Sequence, residues 1–135
     1  MELCPCCSGK AYAVCCKPFH DGSPPPTPLA LMRSRYAAYA LEKAEYIMRT
    51  THPKSIYFEK DRKKWGGAIL QFSRRTRFVK LEIEAWGEDW VSFAAHLEEN
   101  GVAFTLKEKS LFQKIDGEWL YLSGEITVDP GIPAK

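Results

Sequence analysis

Phe93-Ala94-Ala95-His96-Leu97-Glu98-Glu99-Asn100-Gly101-Val102-Ala103-Phe104-Thr105-Leu106-Lys107-Glu108 is the stretch that decides the fold. Two runs of strand-forming residues meet at Asn100-Gly101, the dipeptide best suited to a two-residue hairpin, because both of its residues tolerate positive φ. Counting outward from that turn sets Leu97 opposite Phe104, Ala95 opposite Leu106 and Phe93 opposite Glu108.

The same counting extends to both sides. Gly87-Glu88-Asp89 reads as a three-residue loop, which places Ala85, Ile83, Leu81 and Val79 opposite Val91, Phe93, Ala95 and Leu97; Asp116-Gly117 is a second two-residue turn and places Phe112 opposite Tyr121. Four antiparallel strands then share one apolar face, and a slip of one residue would expose all of it. Trp86, Trp90 and His96 count to the other face.

Glu108 and Ser110 fall inside the apolar face, between Leu106 and Phe112. A carboxylate there needs a partner or a proton. Arg33, Arg35 and His52 come from the segments that would cover this face, and Arg33, one turn from Tyr36 and next to Met32, is the expected partner of Glu108. With aromatic walls from Tyr36, Tyr39, Trp119 and Tyr121, the pocket candidates are Arg33, Tyr36, His52, Glu108, Ser110 and Tyr121. The competing reading is an ion pair that only bridges helix and sheet.

The covering layer is helical. Thr27 suits a cap and Pro28 the first helical position, and Leu29, Met32, Tyr36, Tyr39 and Ala40 recur at helical spacing. A second helix is expected around 43–50, ending before Pro53, and a third around 59–74 with Trp65, Ile69 and Phe72 on one side. From Lys54 to Lys80 there are nine Lys/Arg and two acids, so +7 of charge lies in this segment of a chain whose net charge is +2. A solvated helix face or a nucleic-acid surface would account for it.

All five cysteines lie in Cys4-Pro5-Cys6-Cys7-Ser8-Gly9-Lys10-Ala11-Tyr12-Ala13-Val14-Cys15-Cys16. Adjacent cysteines rarely bridge each other and a Cys-x-Cys ring is strained, so the cluster reads as metal ligands rather than disulfides, with free or redox-active thiols the competing reading. Four thiolates can surround one zinc at about 2.3 Å if the segment folds back at Ser8-Gly9. Cys4, Cys6, Cys15 and Cys16 are the symmetric set, with Cys7 a fifth candidate; such a closed site is structural, not catalytic. No basic and apolar leader opens the chain and no apolar run spans a membrane, so a reducing, cytoplasmic setting is expected. A Pro-rich stretch, with four prolines between Pro24 and Pro28, separates the cysteines from the rest, and His20 within the linker is expected to be a solvated loop residue.

Cys-Pro-Cys-x-Ser-Gly-Lys-x-Tyr-x-x-Cys-Cys resembles the SEC-C motif, the zinc module at the C-terminus of the translocase ATPase SecA and in many bacterial proteins. With Leu31-Met32-Arg33-Ser34-Arg35-Tyr36-Ala37-Ala38-Tyr39, Thr51-His52-Pro53, Glu108-Lys109-Ser110-Leu111-Phe112 and Gly117-Glu118-Trp119-Leu120-Tyr121, nearly the whole chain is similar to the uncharacterised YchJ family. The resemblance implies an α+β fold: an N-terminal zinc knuckle followed by a nuclear transport factor 2-like domain, a curved four-stranded antiparallel sheet covered by about three helices. The expected segments are 1–18 for the motif, 19–28 for the linker, 29–128 for the domain and 129–135 for a tail. Cys7 stands where the motif usually has glycine, and the second zinc motif of some relatives is absent.

Three functions are open to such a chain. The leading one is a non-enzymatic adaptor whose Zn2+ knuckle, with Lys10 and Lys17, docks on a protein partner, as the motif in SecA docks on a secretion chaperone. Another is a small-molecule-binding protein or enzyme using the pocket around Glu108, although no nucleophile elbow, phosphate loop or dinucleotide fingerprint is present. The third is nucleic-acid binding through residues 54–80.

Overall fold

The computed structural model describes residues 2–129; the tail expected from 129 onward lies, past that residue, outside the described residues. After the cysteine segment come α1 (Lys17–His20), α2 (Pro28–Ala40), α3 (Ala44–Arg49) and α4 (Arg62–Arg75), then β1 (Thr76–Trp86), β2 (Trp90–Glu99), β3 (Val102–Ile115) and β4 (Glu118–Asp129). The strands pair in chain order as one antiparallel sheet. Among the described residues, no helix is long and apolar enough to cross a membrane.

Local chemistry sets the helix ends. Thr27 Oγ1 accepts from the Ala30 amide at 3.1 Å and Pro28 occupies the first turn, so α2 starts where the sequence places it. The Asp61 carboxylate accepts from the Lys64 amide at 3.0 Å and starts α4 at Arg62, later than the expected 59. The α1 turn occupies the beginning of the stretch read as extended. Pro18 permits it, because amides in a first turn have no partner within the helix.

The β2–β3 register is the counted one: Leu97 faces Phe104, Ala95 faces Leu106 and Phe93 faces Glu108. Asn100 and Gly101 have φ of 54° and 78°, and Asp116 and Gly117 of 51° and 82°, as tight hairpin turns require. β1 departs from the count. Register shifts between Phe78 and Lys80 and between Ile83 and Ala85 put Phe78, not Val79, opposite Leu97 and Trp86, not Ala85, opposite Val91. Each shift inserts a residue, bends the strand and exchanges faces, so Trp86 lies on the side of Val91 rather than that of Trp90 and His96.

The core fills the space between α2, α3, α4 and the sheet, with Leu31, Ile47 and Val91 fully enclosed. The chain after α3 closes one edge of this space. Thr51 bridges to Tyr121, the His52 amide donates to the Tyr121 carbonyl at 2.8 Å, and the Tyr121 amide donates to the Thr50 carbonyl at 2.8 Å. Residues 50–52 thus make a single parallel bridge to β4.

Candidate functional site

The cysteine segment folds back on itself as its turn residues suggest. Leu3 bridges to Ala11, the Cys4 amide donates to the Lys10 carbonyl at 2.8 Å and the Tyr12 amide to the Glu2 carbonyl at 3.0 Å. This reversal brings the sulfurs of Cys4, Cys6, Cys15 and Cys16 within 4.8 Å of one another, with Cys6 and Cys15 Sγ 3.5 Å apart and Cys15 and Cys16 Sγ 3.9 Å apart. A tetrahedron of zinc–sulfur bonds has an edge of about 3.8 Å, so this donor set can hold a metal ion. All five cysteines are free thiols, and the Ser8 hydroxyl lies 3.1 Å from Cys15 Sγ.

The crowded thiols perturb one another. A hydrogen bond with Cys16 pulls Cys6 down to about 4 and pushes Cys16 upward, while burial raises Cys4 to about 11. Cys7 stands apart. Its φ of 66° lies in the left-handed region that glycine favours, and its exposed sulfur accepts from the Leu81 amide at 3.4 Å.

The module rests on α2. Cys4, Cys6 and Cys16 pack with Ala37, and the Arg33 guanidinium donates to the Cys6 carbonyl at 2.8 Å. The expected Arg33–Glu108 pair is therefore not formed. Two residues of helix turn through about 200°, which carries Arg35 to the sheet side when Arg33 faces the cysteines. His20 is also not a solvated loop residue. Its Nε2–H donates to the Ser34 carbonyl at 2.8 Å, leaving Nδ1 to accept from the Tyr12 hydroxyl at 2.7 Å, and burial lowers its pKa.

Between α2, α4 and the sheet lies a cavity of about 450 Å³. Ile69, Phe72, Phe78, Phe93, Leu97 and Leu106 give it an apolar body, and Arg35, Tyr36, Tyr39, Thr51, Glu108, Ser110 and Tyr121 bring polar atoms to it. Tyr121 donates to Glu108 Oε2 at 2.6 Å, and the Arg35 guanidinium lies over the Tyr121 ring at 4.8 Å. Burial raises the Glu108 pKa against the Tyr121 and Ser110 hydroxyls and the Arg35 charge, which pull it down. Burial, followed by the nearby Glu108 charge, raises Tyr121. Gly124, opposite Ser110, lets the carboxylate lie against β4: a Cβ there would overlap it. The Tyr36 hydroxyl is buried and has no hydrogen-bond partner among the described residues.

Of the six pocket candidates, Tyr36, Glu108, Ser110 and Tyr121 line the cavity, and Arg33 and His52 do not. His52 is held on both ring nitrogens: Nδ1 accepts from the Lys54 amide at 2.9 Å and Nε2 donates to Gln113 Oε1 at 2.5 Å. Trp119 lies outside the cavity, with Lys114 Nζ 5.4 Å from its ring. Arg35, Thr51, Tyr57 and Glu59 are polar wall residues assigned no pocket role from the sequence, although Arg35 sits three residues after Met32 and four before Tyr39 on the inward stripe. Gly124 carried no sequence signal.

Residues 27–124 match the family described as "YchJ, middle NTF2-like domain". The chain belongs to the YchJ family. A UPF0225 protein of Deinococcus radiodurans is 42% identical over 121 residues, covering 88% of this chain and 85% of that one, and a UPF0225 protein of Serratia proteamaculans is 36% identical over 133 residues, covering 91% and 82%. The solution structure of a SEC-C motif containing protein from Rhodopseudomonas palustris has a TM-score of 0.75 at 32% identity, covering 90% of this chain and 96% of that one. The crystal structure of a SEC-C motif containing protein from Psychrobacter arcticus has a TM-score of 0.73 at 27% identity, covering 90% and 81%. The YchJ middle-domain match contains every cavity residue except Ile126, whereas the cysteine module precedes it. The sequence reading of a YchJ-like chain, with a SEC-C cysteine cluster before a nuclear transport factor 2-like domain, holds.

Proposed function

We propose that this protein binds a small organic molecule in the cavity beneath α2, and that one Zn2+ held by Cys4, Cys6, Cys15 and Cys16 is a structural clamp that steadies α2. The observation that carries the reading is a cavity of about 450 Å³ where the half-buried carboxyl of Glu108 and the buried guanidinium of Arg35 meet a largely apolar lining. That size and composition suit a ligand pocket. The zinc would be chemically silent, since four thiolates leave no open position. Its effect is mechanical: Arg33 and Ser34 bind the module while the next two residues, Arg35 and Tyr36, line the cavity.

Filling the cavity tests this. Ala95 is buried in the sheet wall, and Ala95→Phe places a ring in the space. Compounds that raise the melting temperature of the natural protein in a metabolite panel should lose that effect in the variant; stabilisation unchanged by the filling would place binding elsewhere.

A second reading keeps the knuckle as a protein-docking adaptor. Exposed Leu3 and Val14 on the module favour it, with Lys10 beside them, while Lys17 is engaged with Asp21 at 2.7 Å. Val14→Asp should then release the partner without releasing metal. The nucleic-acid reading receives less support. Arg62, Arg74, Arg75, Arg77 and Lys80 each pair with a glutamate, as a solvated face would.

A further inference from the structure

Arg35 is nine-tenths buried, and every group that it touches is neutral. Its Nη1 donates to the Ile47 carbonyl at 3.2 Å, to Thr50 Oγ1 at 2.8 Å and to Thr51 Oγ1 at 3.2 Å; its flat face lies on the Tyr121 ring, and the Tyr39 hydroxyl is its other neighbour. Among the described residues no carboxylate comes within ion-pair distance of it, although seven Lys/Arg–carboxylate pairs form elsewhere on the surface. Buried charges are ordinarily paired, because an isolated cation out of water is costly. Here the uncompensated cation lines a cavity.

Glu108 is the nearest candidate counter-ion, and it is engaged otherwise. Its Oε2 takes the Tyr121 hydroxyl, and burial outweighs the Arg35 charge in setting its pKa, which is raised where a firm ion pair would lower it. A neutral Glu108 carboxyl is a hydrogen-bond donor, complementary to an anion bound at Arg35. Phe72, Phe78 and Phe93 make the far wall apolar, and the second carboxylate of the lining, Glu59, is exposed to solvent.

We infer that the cavity ligand is an organic anion: a carboxylate head that pairs with Arg35 and an aromatic or aliphatic body that fills the apolar end. This rests on the cavity reading above and adds the charge and shape of what enters it. An amine or other cation is disfavoured by the same guanidinium. The bidentate geometry of a guanidinium suits a carboxylate, and one head group is all that a single arginine can neutralise.

Cinnamate and cinnamyl alcohol share a body and differ in the head group, so titrating both into the intact protein by calorimetry separates the two claims. The carboxylate should bind about tenfold more tightly than the alcohol, the gain of one charge-assisted contact. Glu108→Gln, which presents a neutral donor at every pH, should bind cinnamate at least as tightly as the natural protein does and keep it ahead of the alcohol. Equal affinity for both probes, or preference for the alcohol, overturns the anion inference while the cavity reading stands. Binding of neither overturns the cavity reading and the inference together. Arg35→Gln should bring the two affinities together; because Arg35 also ties α2 to α3, the comparison in the natural protein and in Glu108→Gln decides the matter if that variant fails to fold.

Discussion

Removing one oxygen from Tyr121 isolates the polar centre of the cavity. Tyr121→Phe deletes the hydroxyl that donates to Glu108 Oε2 at 2.6 Å and leaves the ring under Arg35 and against Phe112, whose centroid is 6.0 Å away. A hydrogen bond to a charged group contributes about 1.5–3 kcal/mol, and that contribution is lost for the ionised carboxylate. The hydroxyl also pulls the Glu108 pKa down against burial, so its removal moves the pKa further up. Because the folded pKa already lies above the ordinary carboxylate value, the folded chain keeps the proton where the unfolded chain has released it. The stability from Glu108 is therefore fully present below the unfolded pKa of about 4.5 and is lost as pH rises through the folded pKa. In Tyr121→Phe this loss extends to higher pH and deepens, so the variant should be about 1.5–3 kcal/mol less stable than the natural protein at about pH 9, with a smaller deficit at about pH 4. Denaturant unfolding across that range, repeated in a Glu108→Gln background, supplies the cycle. A deficit that does not change with pH, or that persists in full in the Gln background, would refute the reasoning.

Other substitutions address the module and the sheet. Cys15→Ser/Cys16→Ser should abolish stoichiometric metal in elemental analysis and uncouple the N-terminal segment from α2, seen as loss of amide protection at Cys6 and Cys7; structural zinc sites in small peptides are worth about 10–16 kcal/mol, so an unchanged melting temperature would contradict a metal clamp. Cys7→Gly should retain one metal per chain and match or exceed the natural stability, since it relieves a left-handed non-glycine residue worth about 1–2 kcal/mol; loss of metal would make Cys7 a ligand. Gly124→Ala should cost about 1–3 kcal/mol by driving the Glu108 carboxylate from β4, and that cost should vanish when Glu108 is also alanine; both effects are read from denaturant midpoints.

The part of the sheet that positions Glu108 was legible because its turn is local. Asn100-Gly101 specifies one hairpin, β2 and β3 run without a bulge, and counting carries Glu108 to the covered face. β1 was not legible in the same way: its two register shifts fall at Val79 and Glu84, where no glycine or proline marks them. The arginine assignment failed for a different reason. Arg33 and Arg35 are both near Met32 and Tyr36 in sequence, but only Arg35 holds the inward angle, and the attraction of Arg33 to the Cys6 carbonyl is a contact 27 residues away. The convergence of four cysteines was readable from their spacing, whereas the seating of the module on Ser34 and Ala37 depended on His20, whose hydrogen bonds cross from one segment to the other.

Amide and methyl shift mapping of labelled protein during a cinnamate titration is the most direct test of the cavity as a functional site. The account expects saturable shifts clustered on Met32, Tyr39, Phe93, Leu106 and Tyr121, all in the wall. Shifts confined to the outer face around Trp90 and His96, or none at millimolar ligand, would contradict it.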